Sequence, residues 1–316
     1  MSEQIVVFGF GPVGRTVTEQ ALRQGRQVRV AQRSQPQNLP LGASFHRCDV
    51  LDAAQVLAAV QGASQIVIAI GMAYLGEVWK RDWPKAMTHL VAAAEAVGAR
   101  VVFVDNLYMY GPQTTPLHED MPLTDHGLKP AARSHVTRIW QAASQAGRIR
   151  FTALRAPDFY GPDVGQSQLG DVALGAMGRG KSAMLILPPD VPHDMAYVPD
   201  IGRAVCTLLD APDEDFGAVW HTPNAPTATP RQLLEIAART LGRKLSLTTL
   251  PLDLLPVMGL VSPLMREIAE MRFQMRTPYR VDASKFALRF WSDATPFEVG
   301  VPATIRSFMP GFSKAA

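Results

Sequence analysis

The chain has 316 residues, 47% of them hydrophobic and 19% charged, enough to bury a sizeable core and, by length, to form about two domains. Its formal net charge of +3 is too small to imply a nucleic-acid partner, and no uninterrupted apolar run approaches the ~20 residues that span a bilayer. The two cysteines, Cys48 and Cys206, make no CxxC pair, so a disulfide scaffold is disfavoured and a reducing, cytoplasmic setting is expected.

The start, MSEQIVVFGFG, lacks the basic flank and cleavage site of a signal peptide. The first half then alternates β-rich runs with helical patterns. IVVFG (5–9), QVRVA (27–31), QIVIAI (65–70), RVVFVD (100–105) and IRFTALR (149–155) read as strands. Each is apolar on both faces, as in a parallel sheet covered by helices. A helix is expected from about Pro12 to Gly25, with Val13, Val17, Ala21 and Leu22 on one stripe. Asp82 reads as the N-cap of another, with Pro84 in its first turn and Gly98 as its stop. The stretch PQTTPLHEDMPLTDHGL (112–128) has neither period and reads as a loop or lid, followed by a helix over about 131–146.

Beyond residue 155 the pattern is less regular. Thr229-Pro230-Arg231-Gln232 is a capping box with proline at the first helical position, opening a helix that ends at Gly242. Further helices are expected near 264–275 and 296–308. The run LLPVMGLVSPLM (254–265) reads as a proline-broken buried helix pair, with an apolar lid or a subunit contact as the alternatives. The organisation is α/β: a Rossmann-like, doubly wound parallel sheet over 1–155, then a smaller mixed substrate domain over 156–316, some of whose segments return to the first.

VVFGFGPVGR places Gly9, Gly11 and Gly14 in the spacing GxGxxG between a strand and a helix. That arrangement lets bare backbone approach a pyrophosphate and aims a helix N-terminus at its charge. The loop Gly9, Phe10, Gly11, Pro12, Val13, Gly14 is therefore the expected dinucleotide cradle. An NAD site usually has a carboxylate near the end of the second strand, for the ribose 2′-hydroxyl. Here no Asp or Glu occurs between Glu19 and Asp49, and the corresponding residues are AQRS, with Arg33. A guanidinium there suits a 2′-phosphate, with Arg15 assisting, so NADP(H) is expected over NAD(H). Asp49, followed by Val50, closes a third strand and can accept from the adenine amino group; the plain alternative is a turn residue.

With the glycine loop, CDV (48–50), YMYGP (108–112), LRAPDFYGP (154–162) and MAYVPDIGRAV (195–205), the chain resembles the extended short-chain dehydrogenase/reductases, specifically the NAD-dependent epimerase/dehydratase group. HTPNAPTATPRQLLEIAARTLGR (221–243) extends the resemblance, which covers about residues 4 to 250. It implies a cofactor domain followed by a substrate domain, with Ala69, Ile70 and Gly71, and Ala156 to Phe159 including Pro157, as cofactor-lining backbone. It also implies that 188–200 closes over the substrate, with His193 and Asp194 as candidate contacts. Relatives pair through two helices of the first domain, here 82–97 and 131–146, so a homodimer is the implied assembly.

The chain departs from that pattern. Phe8 stands where the family's GxxGxxG has its first glycine. The family's Ser or Thr falls on Asn106, and none of the tyrosines at 74, 108, 110, 160, 197 and 279 has Lys four residues later. Lys129 and Arg133 are the best match to the missing Tyr-x-x-x-Lys pair. Asn106 can donate to a carbonyl oxygen but cannot relay a proton. Lys129 or Tyr108 is then the candidate acid–base group, Arg133 a candidate for ribose or phosphate, and Tyr110 a packing residue. His118, Glu119, Asp120, Asp125 and His126 read as solvated loop residues. No ligand spacing supports a metal, and no GxSxG elbow supports a hydrolase triad.

The expected function is an NADP(H)-dependent oxidoreductase, or epimerase-like enzyme, acting on a small carbonyl or hydroxyl compound. The rivals are a catalytically silent NADP(H) sensor and a nucleotide-sugar epimerase or dehydratase. The latter is disfavoured by the missing acid–base pair; it would also need cations at a diphosphate, for which Arg179, Lys181, Arg266 and Arg272 are available.

Overall fold

The computed structural model describes residues 4–309 and 311. Among them, a seven-stranded sheet is built from β1 (Gln4–Phe8), β2 (Gln27–Gln32), β3 (Ala43–Arg47), β4 (Gln65–Ile68), β5 (Arg100–Asp105), β6 (Arg150–Arg155) and an edge strand, Val219–His221. Its order is β3-β2-β1-β4-β5-β6 and then the edge strand, and β1 to β6 run parallel. The order reverses beside β1, the switch point where such sheets bind ligands beyond their carboxyl ends. This is the Rossmann-like sheet expected from the double-faced apolar runs: Val6, Val7, Phe8, Ile66, Val67, Ile68, Val101, Val102 and Phe103 are all buried.

Among the helices that accompany the sheet are α1 (Pro12–Arg23), α2 (Ala53–Ala59), α3 (Gly76–Val97) and α4 (Leu128–Gln145). Asp52 caps α2, its carboxylate accepting from the amides of Ala54 and Gln55. Two expected helix starts are corrected. α3 begins at Gly76, so Asp82 is an interior residue paired with Arg81 at 2.6 Å, not a cap, and Pro84 lies inside the helix. Interior proline is costly, but Trp79, Trp83, Ala86, Met87 and Leu90 bury one continuous stripe of this helix. α4 begins at Leu128 rather than near 131, because Pro130 falls in the first turn, where no intrahelical N–H is needed. Lys129 and Arg133 are therefore both helical, one turn apart.

The chain forms two compact units. The first comprises the residues up to Gly111, Met121–Arg155 and Ile201–Trp220; the second comprises Pro112–Asp120, Ala156–Asp200 and the described residues from His221 onward. In the second unit, Phe159–Tyr160 pairs with Ala196–Tyr197, and Ala183–Leu185 pairs with Leu247–Thr249. The capping box at Thr229 and Gln232 is formed and opens the helix Pro230–Thr240. The stretch expected near 264–275 is two short helices, Pro263–Glu270 and Phe273–Arg276. The core of this unit gathers Leu174, Leu185, Leu234, Ala237, Val301 and Ile305.

Cys48 and Cys206 are both free and buried. Burial, with Asp49 and Asp52 adding to it at Cys48, pushes each thiol up to about 11. The thiolate is the nucleophile, so iodoacetamide at pH 8 should leave both cysteines unmodified in the folded protein and modify both in concentrated guanidinium. Rapid native labelling, read by mass spectrometry, would contradict that placement. Among the described residues no helix is long and apolar enough to cross a membrane, and no three His, Cys, Asp or Glu side chains are grouped to hold a metal ion.

Candidate active site

The glycine loop leaves β1 and enters α1 with Gly11 as N-cap and Pro12 at the first helical position. Its three glycines are needed for different reasons. Gly9 has φ +91°, and a Cβ there would lie 2.6 Å from the Ala69 carbonyl oxygen. A Cβ on Gly14 would lie 2.1 Å from the Gly9 carbonyl oxygen. Both are thus demanded by packing. Gly11 is different: it is exposed, and a Cβ there would meet nothing within 4 Å. Gly11 brings no side-chain cap to α1, so the amides of its first turn have no capping side-chain acceptor from that position. An uncapped helix mouth beside an uncrowded glycine suits an anionic pyrophosphate.

The strand-end residue of β2 is Gln32, not a carboxylate. The Phe10 N–H donates to Gln32 Oε1 at 3.1 Å, and Gln32 Nε2 donates to the Ser34 carbonyl at 2.7 Å. Arg33 follows and is exposed, and no ion pair among the described residues engages it. The Arg15 guanidinium lies 5.6 Å over the Phe10 ring. At the end of β3, half-buried Asp49 accepts from the Leu51 N–H at 3.0 Å, and Val50 accepts from His89. Ala69, Ile70 and Gly71 follow β4, with the Ala69 amide bonded to the Phe8 carbonyl at 2.9 Å. Pro157 is buried in the second unit, two residues after β6.

At the carboxyl end of β5 the polar residues organise one another. The Asp105 carboxylate accepts from the Asn106 N–H at 2.7 Å and from Arg133 through Nε at 2.9 Å and through Nη2. Arg155 Nε lies 3.7 Å from its second oxygen. All three charged side chains are at most 2% exposed. The Arg133 guanidinium is also covered by rings, 4.1 Å from the centroid of Trp83 and 5.1 Å from that of Phe103. Asn106 Oδ1 accepts from the Tyr108 N–H at 3.1 Å, starting the short helix Tyr108–Tyr110. That bond engages the amide oxygen, and Nδ2 is the donor end of the side chain. Tyr110 is buried, and its hydroxyl accepts from Arg155 at 2.6 Å. Tyr108 is half-buried and stacks on Trp79 with centroids 5.8 Å apart. Lys129 is fully buried, its Nζ 4.8 Å from the Tyr74 ring centroid.

The structure therefore draws Asn106, Tyr108 and Arg133 into one network through Asp105 and Trp79. Arg133 is committed to Asp105, so its assignment to ribose or phosphate has no exposed guanidinium behind it. Asp105 and Arg155, the centre of this network, are absent from the sequence-derived candidates; the side chains they engage, Arg133, Tyr110 and Thr137, are distant from them in the chain. Trp79 is absent from them too, although its spacing from Trp83 marks a helix stripe.

In the second unit His193 Nε2 lies 3.0 Å from Asp158 Oδ2, and its ring stacks on Tyr279. Asp194 is buried and accepts from the Val281 N–H at 2.7 Å, and burial holds its carboxyl above the usual range. In the loop, Asp125 pairs with Arg138 at 2.7 Å on the surface, whereas Glu119 accepts from the His221 N–H and is pushed up by burial. Two of the proposed diphosphate cations are engaged: Arg179 binds Asp171, and Arg266 binds the Gly259 carbonyl.

The NAD dependent epimerase/dehydratase family matches residues 5–220. The chain belongs to that family. No curated protein matches the sequence significantly. Among solved structures, UDP-glucose 4-epimerase from Thermus thermophilus in complex with NAD is 18% identical, with a TM-score of 0.75 over 98% of this chain and 100% of that one. DesIV, the dTDP-glucose 4,6-dehydratase of Streptomyces venezuelae, is 17% identical, with a TM-score of 0.78 over 96% of each chain. UDP-glucuronic acid 4-epimerase from Bacillus cereus is 14% identical, with a TM-score of 0.78 over 96% of this chain and 98% of that one. At such identities the likeness establishes the shared Rossmann-like fold alone.

Proposed function

We propose that this family member is an NADP(H)-dependent enzyme that moves a hydride between nicotinamide and a hydroxyl- or carbonyl-bearing carbon of a small substrate. The observation that carries the reading is the open, uncapped mouth of α1 at Gly11. The first-turn amides would hold the pyrophosphate, Arg33 and Arg15 the 2′-phosphate, Asp49 and Val50 the adenosine side, and Ala69 to Gly71 the nearby backbone surface. When bound, the nicotinamide supplies or accepts hydride. Asn106 Nδ2 would donate to the reacting oxygen, and Tyr108 or Lys129 would manage its proton.

The neighbours named above were solved with NAD, so the preference for NADP(H) rests on this chain's own Gln32 and Arg33. A carboxylate that would repel a 2′-phosphate is replaced by a neutral amide and a guanidinium. A hydrogen bond to a charged group contributes roughly 1.5–3 kcal/mol. Arg33→Ala should thus weaken NADPH about 10- to 150-fold while leaving NADH nearly unchanged, by fluorescence titration. Equal binding of the two cofactors by the parent protein would refute the preference.

A second reading, an NADP(H)-binding protein without turnover, is favoured by the burial of Lys129 and the sealing of Arg133 by Asp105. A nucleotide-sugar epimerase or dehydratase is supported by the neighbours' substrates and opposed by the absent Tyr-x-x-x-Lys. A panel of carbonyl compounds and nucleotide sugars, followed by NADPH absorbance, separates them. Turnover that falls in Asn106→Ala and Lys129→Ala supports the enzyme, and tight binding without turnover supports the silent protein.

A further inference from the structure

Where β1 gives way to the glycine loop, a side chain takes over from the sheet. β1 and β2 pair in register up to Phe8 and Ala31, and the Gly9 N–H then donates to the Ala31 carbonyl at 3.0 Å. At the next residue the acceptor is a side chain: the Phe10 N–H donates to Gln32 Oε1 at 3.1 Å. The other end of the same amide, Nε2, donates to the Ser34 carbonyl at 2.7 Å. This second bond closes a small ring around Arg33, the residue between Gln32 and Ser34. The Gln32 carbonyl accepts from the Cys48 N–H at 2.9 Å, so the ring is anchored beside β3 as well. Gln32 is half-buried, whereas Arg33 and Ser34 are exposed. Its amide therefore supports a solvated turn from the sheet side. Both ends of that amide are used, an acceptor toward the loop and a donor toward the turn. An ionised glutamate of equal length would lack the donor, and methionine would lack both.

We propose that Gln32 is a positioning residue for recognition of the coenzyme's 2′-phosphate, acting through Arg33 rather than by touching the phosphate, an inference that rests on the NADP(H) reading above. Phe10 adjoins Gly11 at the mouth of α1, and Arg33 adjoins Gln32. The amide bridge thus sets the span between the pyrophosphate cradle and the guanidinium. In the coenzyme those two anionic groups are carried by one ribose, so the span has to match a nearly fixed length. An arginine on an untethered turn gives up backbone as well as rotamer freedom when it engages a ligand. The bond to Ser34 restricts that backbone before the ligand arrives, which favours binding by lowering the ordering cost.

The test is calorimetric titration of NADP+ and, separately, of NAD+ into the parent, Gln32→Met, Arg33→Ala and the double variant. Gln32→Met keeps the length of the side chain and offers neither bond. It should weaken NADP+ about fivefold and NAD+ less than about twofold. In the Arg33→Ala background the same substitution should cost NADP+ nothing further, because a residue acting only through Arg33 has nothing left to position. Gln32→Ala should give the same pattern and stands in should the methionine variant fold poorly. A merely structural role would weaken both coenzymes alike and would persist without Arg33. The inference is overturned if the Gln32 variants bind NADP+ as the parent does, weaken the two coenzymes equally, or keep their full effect in the Arg33→Ala background. If the parent binds no NADP+, or Arg33→Ala binds it undiminished, the NADP(H) reading fails and takes this inference with it. A selective loss in Arg33→Ala without one in the Gln32 variants counts against this inference alone.

Discussion

Gly14→Ala is expected to destabilise the first unit by about 3 kcal/mol or more, at or beyond the upper end of ordinary overpacking costs. The added methyl would sit 2.1 Å from the Gly9 carbonyl oxygen and 3.5 Å from Val7 Cγ1. Neither neighbour can yield cheaply. Gly9 is held at φ +91° and donates its N–H to the Ala31 carbonyl at 3.0 Å, while Val7 is fully buried in the central strand. Relief would mean moving α1 off the sheet. Gly11→Ala is the matched control, because its Cβ meets nothing. Urea denaturation followed by circular dichroism should show Gly11→Ala near the parent and Gly14→Ala far below it. Parental stability for Gly14→Ala would refute the tight loop–helix contact.

The second large effect is expected at Asp105. Its carboxylate is the counter-charge for Arg133, and Arg155 lies within ion-pair distance of it. Asp105→Ala would strand buried guanidinium charge, and breaking such a pair by removing one partner costs about 3–5 kcal/mol. It would also release the Asn106 N–H, loosening the turn that aims Asn106 Nδ2. Because Arg133 is surrounded by Trp79, Trp83 and Phe103, adding Arg133→Met to Asp105→Ala should recover part of the loss. A methionine there packs against the same rings and needs no carboxylate. Denaturant unfolding of the two variants checks both statements; a single variant as stable as the parent, or a double variant that recovers nothing, would contradict them.

The sheet and the cofactor loop are legible in the sequence because their signals are local. An apolar run in a parallel strand needs only its own residues, and GxGxxG needs only six. The start of α3 is hidden because Asp82 followed by Pro84 imitates a cap and first turn, while the Trp79 and Trp83 stripe that carries the helix through is a packing effect. Lys129 reads as lying ahead of α4 because proline at 130 looks like a boundary, although the first turn tolerates it. Asp105 reads only as the end of a strand. Its principal partner, Arg133, is 28 positions away, and that distance in sequence hides the network that decides what Arg133 can do. The His193–Asp158 pair, 35 positions apart, is hidden in the same way.

The most direct measurement is calorimetric titration of NADP+ into the parent protein and into Gly11→Val. Gly11 has φ −70° and ψ −172°, a conformation valine adopts without strain, and its side chain would project into uncrowded space. If a pyrophosphate lies across that mouth, the parent binds NADP+, and Gly11→Val loses binding while melting at the parental temperature. Parental affinity in Gly11→Val would place the coenzyme elsewhere and contradict the account.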